Sequence, residues 1–338
     1  MTSSLQQIDL TLDEIYTAAY ELMTANGCDD ANAAAIADIV MRAERDGSTS
    51  HGMFRLPGYV GSIRSAKVVA DAQPEISRPL PAIVKVDGCY GYAPLALQRG
   101  LPELADAAHQ TGIAVMSVIN SFHFAALWPE TEYLAEQGLV AIACTAFKPS
   151  VAPAGARTAF FGTNPLSFAF PQPGSTPYVF DMATSRLAKG DVQIAARDGH
   201  TLPAETGLDA SGNPSTDPNE VLKGVLLPFG GYKGSAIATM VELLCAGVTG
   251  DQFSFEAGET DNHDGGPAKG GELIIALSPQ LIAGDGWEEH VSRFFSEMKK
   301  LDGIRLAGQR RHLNRQDTGL RKINAELVKT IKNLTESA

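Results

Sequence analysis

Apolar positions recur with helical spacing over the first 64 residues. Ile15, Ala18, Ala19, Leu22 and Met23 fall on one face, Thr11 with Glu14 three positions on forms a capping box, and Asn26-Gly27 ends the run. A second helix is predicted over 30–44, with Ile36, Ile39, Val40 and Ala43 on one stripe. Asp46-Gly47-Ser48 is turn chemistry that stops it, and Pro57 opens a third helix carrying Tyr59, Val60 and Ile63. From about residue 80 the texture changes to short β-like runs at 83–86, 113–119, 139–144, 166–170, 177–180 and 272–277, separated by turns and helices. Helical spacing returns after 286, most clearly over 287–300 and 319–335. The tract 251–271, rich in Asp, Glu and Gly, reads as an exposed loop, and there is no internal repeat. The pattern describes a mixed α/β chain whose two helical ends pack together beside a central sheet region.

Composition narrows the class. With 338 residues, 44% of them hydrophobic, the chain can bury a sizeable core in one large domain or two smaller ones. Cys28, Cys89, Cys144 and Cys245 are scattered, no C-x-x-C pair occurs and the N-terminus is not signal-like, so a reducing cytoplasm is the expected location. In that compartment the sequon at Asn333 has no consequence. No apolar run approaches the roughly 20 residues that span a bilayer, so no membrane association is expected. A net charge of −12 argues against nucleic acid as a partner, because such binding needs a basic face. The charge is uneven, however: residues 296–332 hold ten Lys/Arg against four Asp/Glu. A basic patch in an acidic protein suits a small anionic ligand, and a solvated helical face explains the scattered lysines equally well. Arg305, Arg310 and Arg311 stand apart because they flank Leu306-Ala307-Gly308, which reads as a turn.

The stretch RDGSTSHGMFR, 45–55, concentrates chemistry in the loop between the second and third helices. His51 has an ordinary pKa near neutrality and can give or take a proton, Gly47 and Gly52 let a ligand approach, and Arg55 offers a fork matched to a carboxylate. A histidine that merely closes a turn fits as well. Ser50 beside His51 raises the alternative of a hydrolase, but there is no G-x-S-x-G and neighbouring side chains diverge in extended backbone. Ser50 is therefore read as a supporting hydroxyl. No H-E-x-x-H occurs and the seven histidines are dispersed, so no metal is expected, although His51 and His123 could converge.

Three further segments carry candidates. NSFHFAALW, 120–128, follows a strong strand and so occupies the strand-end crevice where α/β proteins bind ligands; Phe122, Phe124 and Trp128 suit a core, His123 less so. Thr163, Asp181, Lys189, Gly190 and Asp191 fall near predicted strand ends, where each can be a cap or turn residue, and Asp191 could orient an imidazole from elsewhere in the fold. LLPFGGYKGSAIATMVELLCAG, 226–247, runs from a glycine-rich turn into an apolar helix, which suits either phosphate or a close helix contact. It is not a P-loop, and G-x-G-x-x-G is absent from the chain.

Taken together, DGSTSHGMFRLPGY (46–59), HFAALW (123–128), AEQGLVA (135–141), GARTAFFGTNPLSFAFP (155–171), FDMAT (180–184), GDVQIAARDG (190–199), LLPFGGYKGSA (226–236) and RLAGQRR (305–311) resemble the malate/L-lactate dehydrogenase-like, or type-2, NAD(P)H-dependent oxidoreductases. HFAALW, GDVQIAARDG and FSFE (253–256) are most similar to the Δ1-piperideine-2-carboxylate/Δ1-pyrroline-2-carboxylate reductases of that family, ketimine reductases that make L-pipecolate and L-proline. The resemblance implies a non-Rossmann, mixed-sheet nicotinamide-binding domain (79–301), a helical domain built from both chain ends (1–78 with 302–338), and a homodimer. It implies NADPH as cofactor, with NADH possible in its place, and a small anionic substrate. His51 would be the proton donor with Ser50 and Asp191 as relay partners, and Arg55, Thr163, Lys189 and Gly190 would line the substrate site. His123, Phe124, Ala125, Ala126 and Leu127, then Asp181, Met182 and Ala183, with Gly231, Tyr232, Arg305, Gly308, Arg310 and Arg311, would hold the cofactor. The chain departs from the family pattern at Phe122, Lys189 and Ala307. Reduction of an open-chain 2-oxo acid by the same scaffold is the alternative activity, and a noncatalytic nucleotide-binding protein the remote one.

Overall fold

Thr11 starts the first helix as the spacing predicts: its hydroxyl accepts the Glu14 N–H at 3.1 Å while the Glu14 carboxylate accepts the Thr11 N–H at 2.7 Å. In this computed structural model, which describes residues 6–124 and 126–338, strand β1 (Gln7–Leu10) leads into α1 (Leu12–Ala25) and α2 (Asp30–Asp46). Two short 3-10 turns, Thr49–His51 and Met53–Arg55, precede α3 (Leu56–Arg64). Then follow β2 (Glu75–Leu80), β3 (Ile83–Asp87), α4 (Ala93–Thr111), β4 (Ile113–His123), α5 (Trp128–Glu136) and β5 (Val140–Thr145). The middle of the chain adds β6 (Leu166–Phe170), β7 (Tyr178–Met182), α6 (Lys189–Asp198), β8 (Gly207–Leu208), β9 (Pro214–Ser215), α7 (Pro218–Lys223) and β10 (Val225–Leu226). Helix α8 (Tyr232–Glu242) continues into π-helical turns over Leu243–Val248, and α9 (Ser254–Glu259), β11 (Ala268–Leu277), α10 (Pro279–Ala283) and α11 (Trp287–Lys299) come next. The chain closes with α12 (Gln309–Gln316), β12 (Arg321–Asn324) and α13 (Ala325–Glu336).

A seven-stranded mixed sheet, ordered β2-β3-β4-β11-β5-β6-β7, forms the centre, with β3 and β4 parallel and the other neighbours antiparallel. Side chains alternate across it. Val84, Val86, Met116, Ala143 and Ile274 pack on Leu97, Leu101 and Leu104 of α4 and Leu134 of α5, whereas Cys144 and Leu273 face Val241 and Cys245 on the other side. Each fully buried aliphatic of this kind contributes about 1.5–3 kcal/mol. A second core joins Ile15, Leu22, Ile36, Val40, Met53 and Tyr59 to Ile323 and Ile331 near the other end of the chain.

Two sequence expectations need correction. The helix expected over 319–335 begins at Ala325, because Asn324 caps it by accepting the Leu327 N–H at 3.0 Å, and 321–324 is instead a strand paired antiparallel with β1. Those two strands are too short and polar to read locally; only their pairing buries Ile323. The tract 251–271 is not simply an exposed loop. Asp251 accepts the Asn120 N–H at 2.7 Å and pairs with Lys269 at 2.9 Å, Ser254 donates its N–H to Glu242 at 2.9 Å to start α9, and β11 begins at Ala268. Distant partners satisfy acidic groups that look solvated in the sequence.

One buried ion cluster ties the layers together. The carboxylate of Asp46, the last residue of α2, accepts Arg315 Nη2 at 2.7 Å, Trp128 Nε1 at 3.1 Å and Arg45 Nε at 2.8 Å. Arg315 also meets Glu132, whose other oxygen lies 2.7 Å from His312 Nε2. Burial alone would raise both carboxyls, but hydrogen bonds from Arg315 and Arg45 to Asp46, and from His312 and Arg315 to Glu132, hold both below the ordinary range.

Replacing Arg315 by Leu strands two buried carboxylates and is expected to cost about 3–5 kcal/mol in urea unfolding at neutral pH. Both folded-state pKa values lie below their unfolded ones, so the cluster's contribution is present above about pH 4 and is lost on acidification. The gap between wild type and R315L should therefore narrow as pH falls; equal stability at neutral pH would contradict the cluster's role.

Candidate active site

Gly47, in the left-handed conformation at φ 75°, ends α2 and turns the chain into the segment 48–55. Beneath this segment Glu44 Oε1 accepts the Met53 N–H at 2.8 Å, and a side chain at Gly52 would collide with the same carboxylate. Burial pushes the Glu44 carboxyl up to about 7, against the Met53 amide and the charges of Arg321 and Arg197. The helical turn over 49–51 also corrects the expectation that Ser50 and His51 diverge: Ser50 Oγ lies 3.2 Å from His51 Nδ1, because this backbone is not extended. The other imidazole nitrogen has no protein partner among the described residues.

His51 and Arg55 set the electrostatics. Burial first, then the charge of Arg55 and then His123, push the His51 imidazole down to about 3, so at neutral pH it is uncharged rather than poised to titrate as its ordinary value suggests. Burial also lowers Arg55 to about 10, opposed by Tyr59 and Asp191, and it remains a cation. Its guanidinium lies 4.9 Å from the ring centre of Phe124 and 5.3 Å from that of Phe54. Its Nε is buried without a partner, and none of the described carboxylates is within ion-pair distance of it.

These groups open on a cavity of about 470 Å³. Its walls bring together Ser50, His51, Arg55 and Phe124 with Thr163, with Asp181, Met182 and Ala183 from the end of β7, and with Lys189, Gly190 and Asp191 from the first turn of α6. Arg310 and Arg311, in the first turn of α12, complete it. Those two arginines are helical, and the turn expected around 305–311 ends at Gly308. Gly190 is a packing requirement, because a Cβ there would run into Arg55 Nη2. The structure brings Asp191 near Arg55, yet gives it no hydrogen bond to His51.

Asp181 does act as a cap, but of a helix about fifty residues away: its Oδ2 accepts the N–H groups of Leu127 at 2.8 Å and Trp128 at 3.0 Å at the start of α5. Burial raises its carboxyl to about 6, opposed by Arg311 and these two amides. Ala126 and Leu127 are buried in the core and do not line the cavity, and the Leu127 N–H is taken up by Asp181. His123, the last residue of β4, lies outside the cavity lining with Nδ1 3.2 Å from a Glu272 oxygen, within ion-pair range but not aligned for a hydrogen bond. Gly308 packs on Val179, whereas Arg305, Gly231 and the exposed Tyr232 are apart from the cavity walls. Ala125 lies outside the described residues. Of the departures from the family pattern, Lys189 borders the cavity, and Phe122 is buried in the helical core with Lys67 Nζ 5.9 Å from its ring centre.

Sequence reasoning missed Phe147 and Lys148, which line the cavity just past β5, and Gly265 and Gly266 from the acidic tract. Lys148 had a usable signal, since it follows a strand end; the glycines had none that separated them from a surface turn. The residues present fit a dinucleotide. The N-terminus of α12 faces the cavity with no side-chain cap, two arginines stand in its first turn, and Arg311 Nε is buried without a partner. Among the described residues no group of three or more His, Cys, Asp or Glu could hold a metal ion, and no helix is long and apolar enough to cross a membrane.

Comparison with known proteins agrees with this geometry. The malate/L-lactate dehydrogenase family model matches residues 10–332. The Δ1-pyrroline-2-carboxylate reductase of Pseudomonas fluorescens is 42% identical over 309 residues, 90% of this chain and 92% of that one. The Δ1-pyrroline-2-carboxylate/Δ1-piperideine-2-carboxylate reductase of Pseudomonas aeruginosa is 42% identical over 306 residues, again 90% of this chain and 92% of that one. The crystal structure of Δ1-piperideine-2-carboxylate reductase from Pseudomonas syringae superposes with a TM-score of 0.91 at 39% identity, covering 97% of this chain and 99% of that one. With a mixed sheet in place of the doubly wound one, and a family match over nearly its whole length, the chain belongs to the malate/L-lactate dehydrogenase family.

Proposed function

We propose that this protein is an NADPH-dependent reductase of cyclic ketimine carboxylates, Δ1-piperideine-2-carboxylate and/or Δ1-pyrroline-2-carboxylate, yielding L-pipecolate and/or L-proline. The observation that carries the reading is the His51 imidazole beside Arg55, whose Nε is buried without a partner, on one cavity wall in a chain whose relatives are named for those substrates. Arg55 anchors the substrate carboxylate, a cation without a counter-ion meeting an anion that needs one. A bound reduced nicotinamide supplies a hydride to C2 of the imine. Docking the carboxylate on Arg55 offsets the charge that, after burial, does most to keep His51 neutral, and so favours a proton on the imidazole. His51 then places that proton on the ring nitrogen as the C=N π electrons move there, and Ser50 Oγ fixes the ring orientation through Nδ1. Asp191 faces Arg55 and supports its charge. The backbone of Phe124, the Asp181–Ala183 edge, Arg310 and Arg311 hold the cofactor, with the two arginines toward its phosphates.

The division into a helical unit, 1–78 with 302–338, and a sheet unit, 79–301, is supported by the shared core of the chain ends. Four unpaired thiols suit a reducing cytoplasm. A homodimer is supported by an exposed apolar face on α8 and its continuation, where Leu243 is 56% and Val248 66% exposed beside Tyr232 and Met240.

His51→Ala is expected to lower kcat by about 10²–10⁴-fold with little change in NADPH affinity; unaltered turnover removes His51 from the chemistry. Arg55→Ala should raise KM by roughly 10–100-fold, the scale of one charge-assisted hydrogen bond, and an unchanged KM contradicts the anchor. Following cofactor oxidation with five- and six-membered imines against pyruvate, with and without methylamine, separates the readings. Faster pyruvate reduction favours the 2-oxo acid activity, and no oxidation across the panel favours a noncatalytic protein. The double substitution Leu243→Glu with Val248→Glu is expected to shift the sedimenting species from dimer to monomer, and a wild type that sediments as a monomer excludes the proposed assembly.

A further inference from the structure

The cavity holds more unneutralised positive charge than one carboxylate requires. Arg55 is one such cation. Lys189, at the first position of α6, is a second: half-buried, it has neither a hydrogen-bond acceptor nor a carboxylate within ion-pair distance of Nζ among the described residues. Its neighbours are engaged. Lys148 Nζ pairs with Asp261 at 2.9 Å, Arg197 with Asp198 at 2.6 Å, and Arg311 donates to the Val179 carbonyl at 3.0 Å. Arg55 and Lys189 stand on adjoining parts of one wall, with the Gly190 backbone packed against Arg55 Nη2 and Ser50, whereas Arg186 and Arg310, which also line the cavity, lie on other elements. Ala188 provides no side-chain cap, so the partial positive charge at the start of α6 adds to that of Lys189. Burial first, and then Lys148 ahead of Arg55, hold the Lys189 ammonium below its usual range, with Asp261 opposing. An ammonium among cations in a partly dry cavity is unfavourable until an anion joins it.

Resting on the cyclic-imine reading above, we propose that Lys189 and the uncapped start of α6 bind a second anionic group of the substrate, so that the preferred substrates are cyclic imine carboxylates bearing a further carboxylate on the ring. Arg55 takes the carboxylate on C2 and Lys189 the other, and the ring lies between them beneath His51. The cofactor phosphates do not compete for Lys189, because the two arginines of α12 stand on a separate element.

The test uses planar ring acids as probes. Binding of pyridine-2-carboxylate and of the 2,3-, 2,4-, 2,5- and 2,6-dicarboxylates to the NADP-loaded enzyme is measured by calorimetry, for wild type, Lys189→Met and Lys189→Arg. At least one diacid is expected to bind wild type roughly tenfold or more tighter than the monoacid, the scale of one charge-assisted contact. That advantage should vanish in Lys189→Met and return in Lys189→Arg. No diacid advantage in wild type, or an advantage that survives Lys189→Met, overturns the proposal. Turnover of the simple cyclic imines by the wild type is read separately, so failure of the imine reading and failure of the second-anion site give different results.

Discussion

A carboxylate with no exposure to solvent, Asp46, fixes the walls of the cavity relative to one another. It ends α2 one residue before the segment that carries His51 and Arg55, it accepts the indole N–H of Trp128 at the start of α5, and Arg315 binds it from α12. Three elements from distant parts of the chain thus meet on one anion. A buried charge of this kind is tolerated only because Arg315 and Arg45 neutralise it and hydrogen bonds occupy both oxygens. Its worth lies in specificity of arrangement. Helix α12, with Arg310 and Arg311 in its first turn, and helix α5, capped by Asp181, are both held by this carboxylate beside the segment that carries His51.

Against this frame the cavity leaves some polar groups unfinished. Arg55 Nε and Arg311 Nε are buried without partners, and Lys189 has none among the described residues. Such groups cost stability in the free protein, so they mark where an anionic ligand returns that energy as binding. The depressed pKa of His51 follows first from burial and then from the positive charge of Arg55. In the proposed reaction, a carboxylate delivered to Arg55 changes the imidazole's surroundings as a proton is required, which would couple substrate binding to proton transfer.

Much of this was legible locally. The capping box at Thr11, the apolar stripes of the first helices and the alternating central strands each follow from spacing within a few residues. His51 and Arg55 were visible as clustered chemistry in a glycine-containing loop and Arg310–Arg311 as a basic pair beside a turn, whereas Thr163 and Lys189 were picked out as site residues only by the family resemblance, and the cavity collects them all. Lys148 and Gly265–Gly266 were not, because a lysine after a strand and a pair of glycines in an acidic tract have the same local sequence whether they face solvent or a ligand.

The sequence by itself determined the first helices and the central strands, which faces they bury, and which residue types could carry a proton or hold an anion, because these depend on backbone period and side-chain chemistry. Tertiary structure alone decided the rest. The pairing of β1 with β12, the cap that Asp181 places on α5, the Ser50–His51 contact and the neutrality of His51 arise from neighbours up to about three hundred residues apart or from a backbone turn that spacing does not encode. Charge states and cavity walls depend on what surrounds a group in three dimensions, and that environment exists only once the chain is folded.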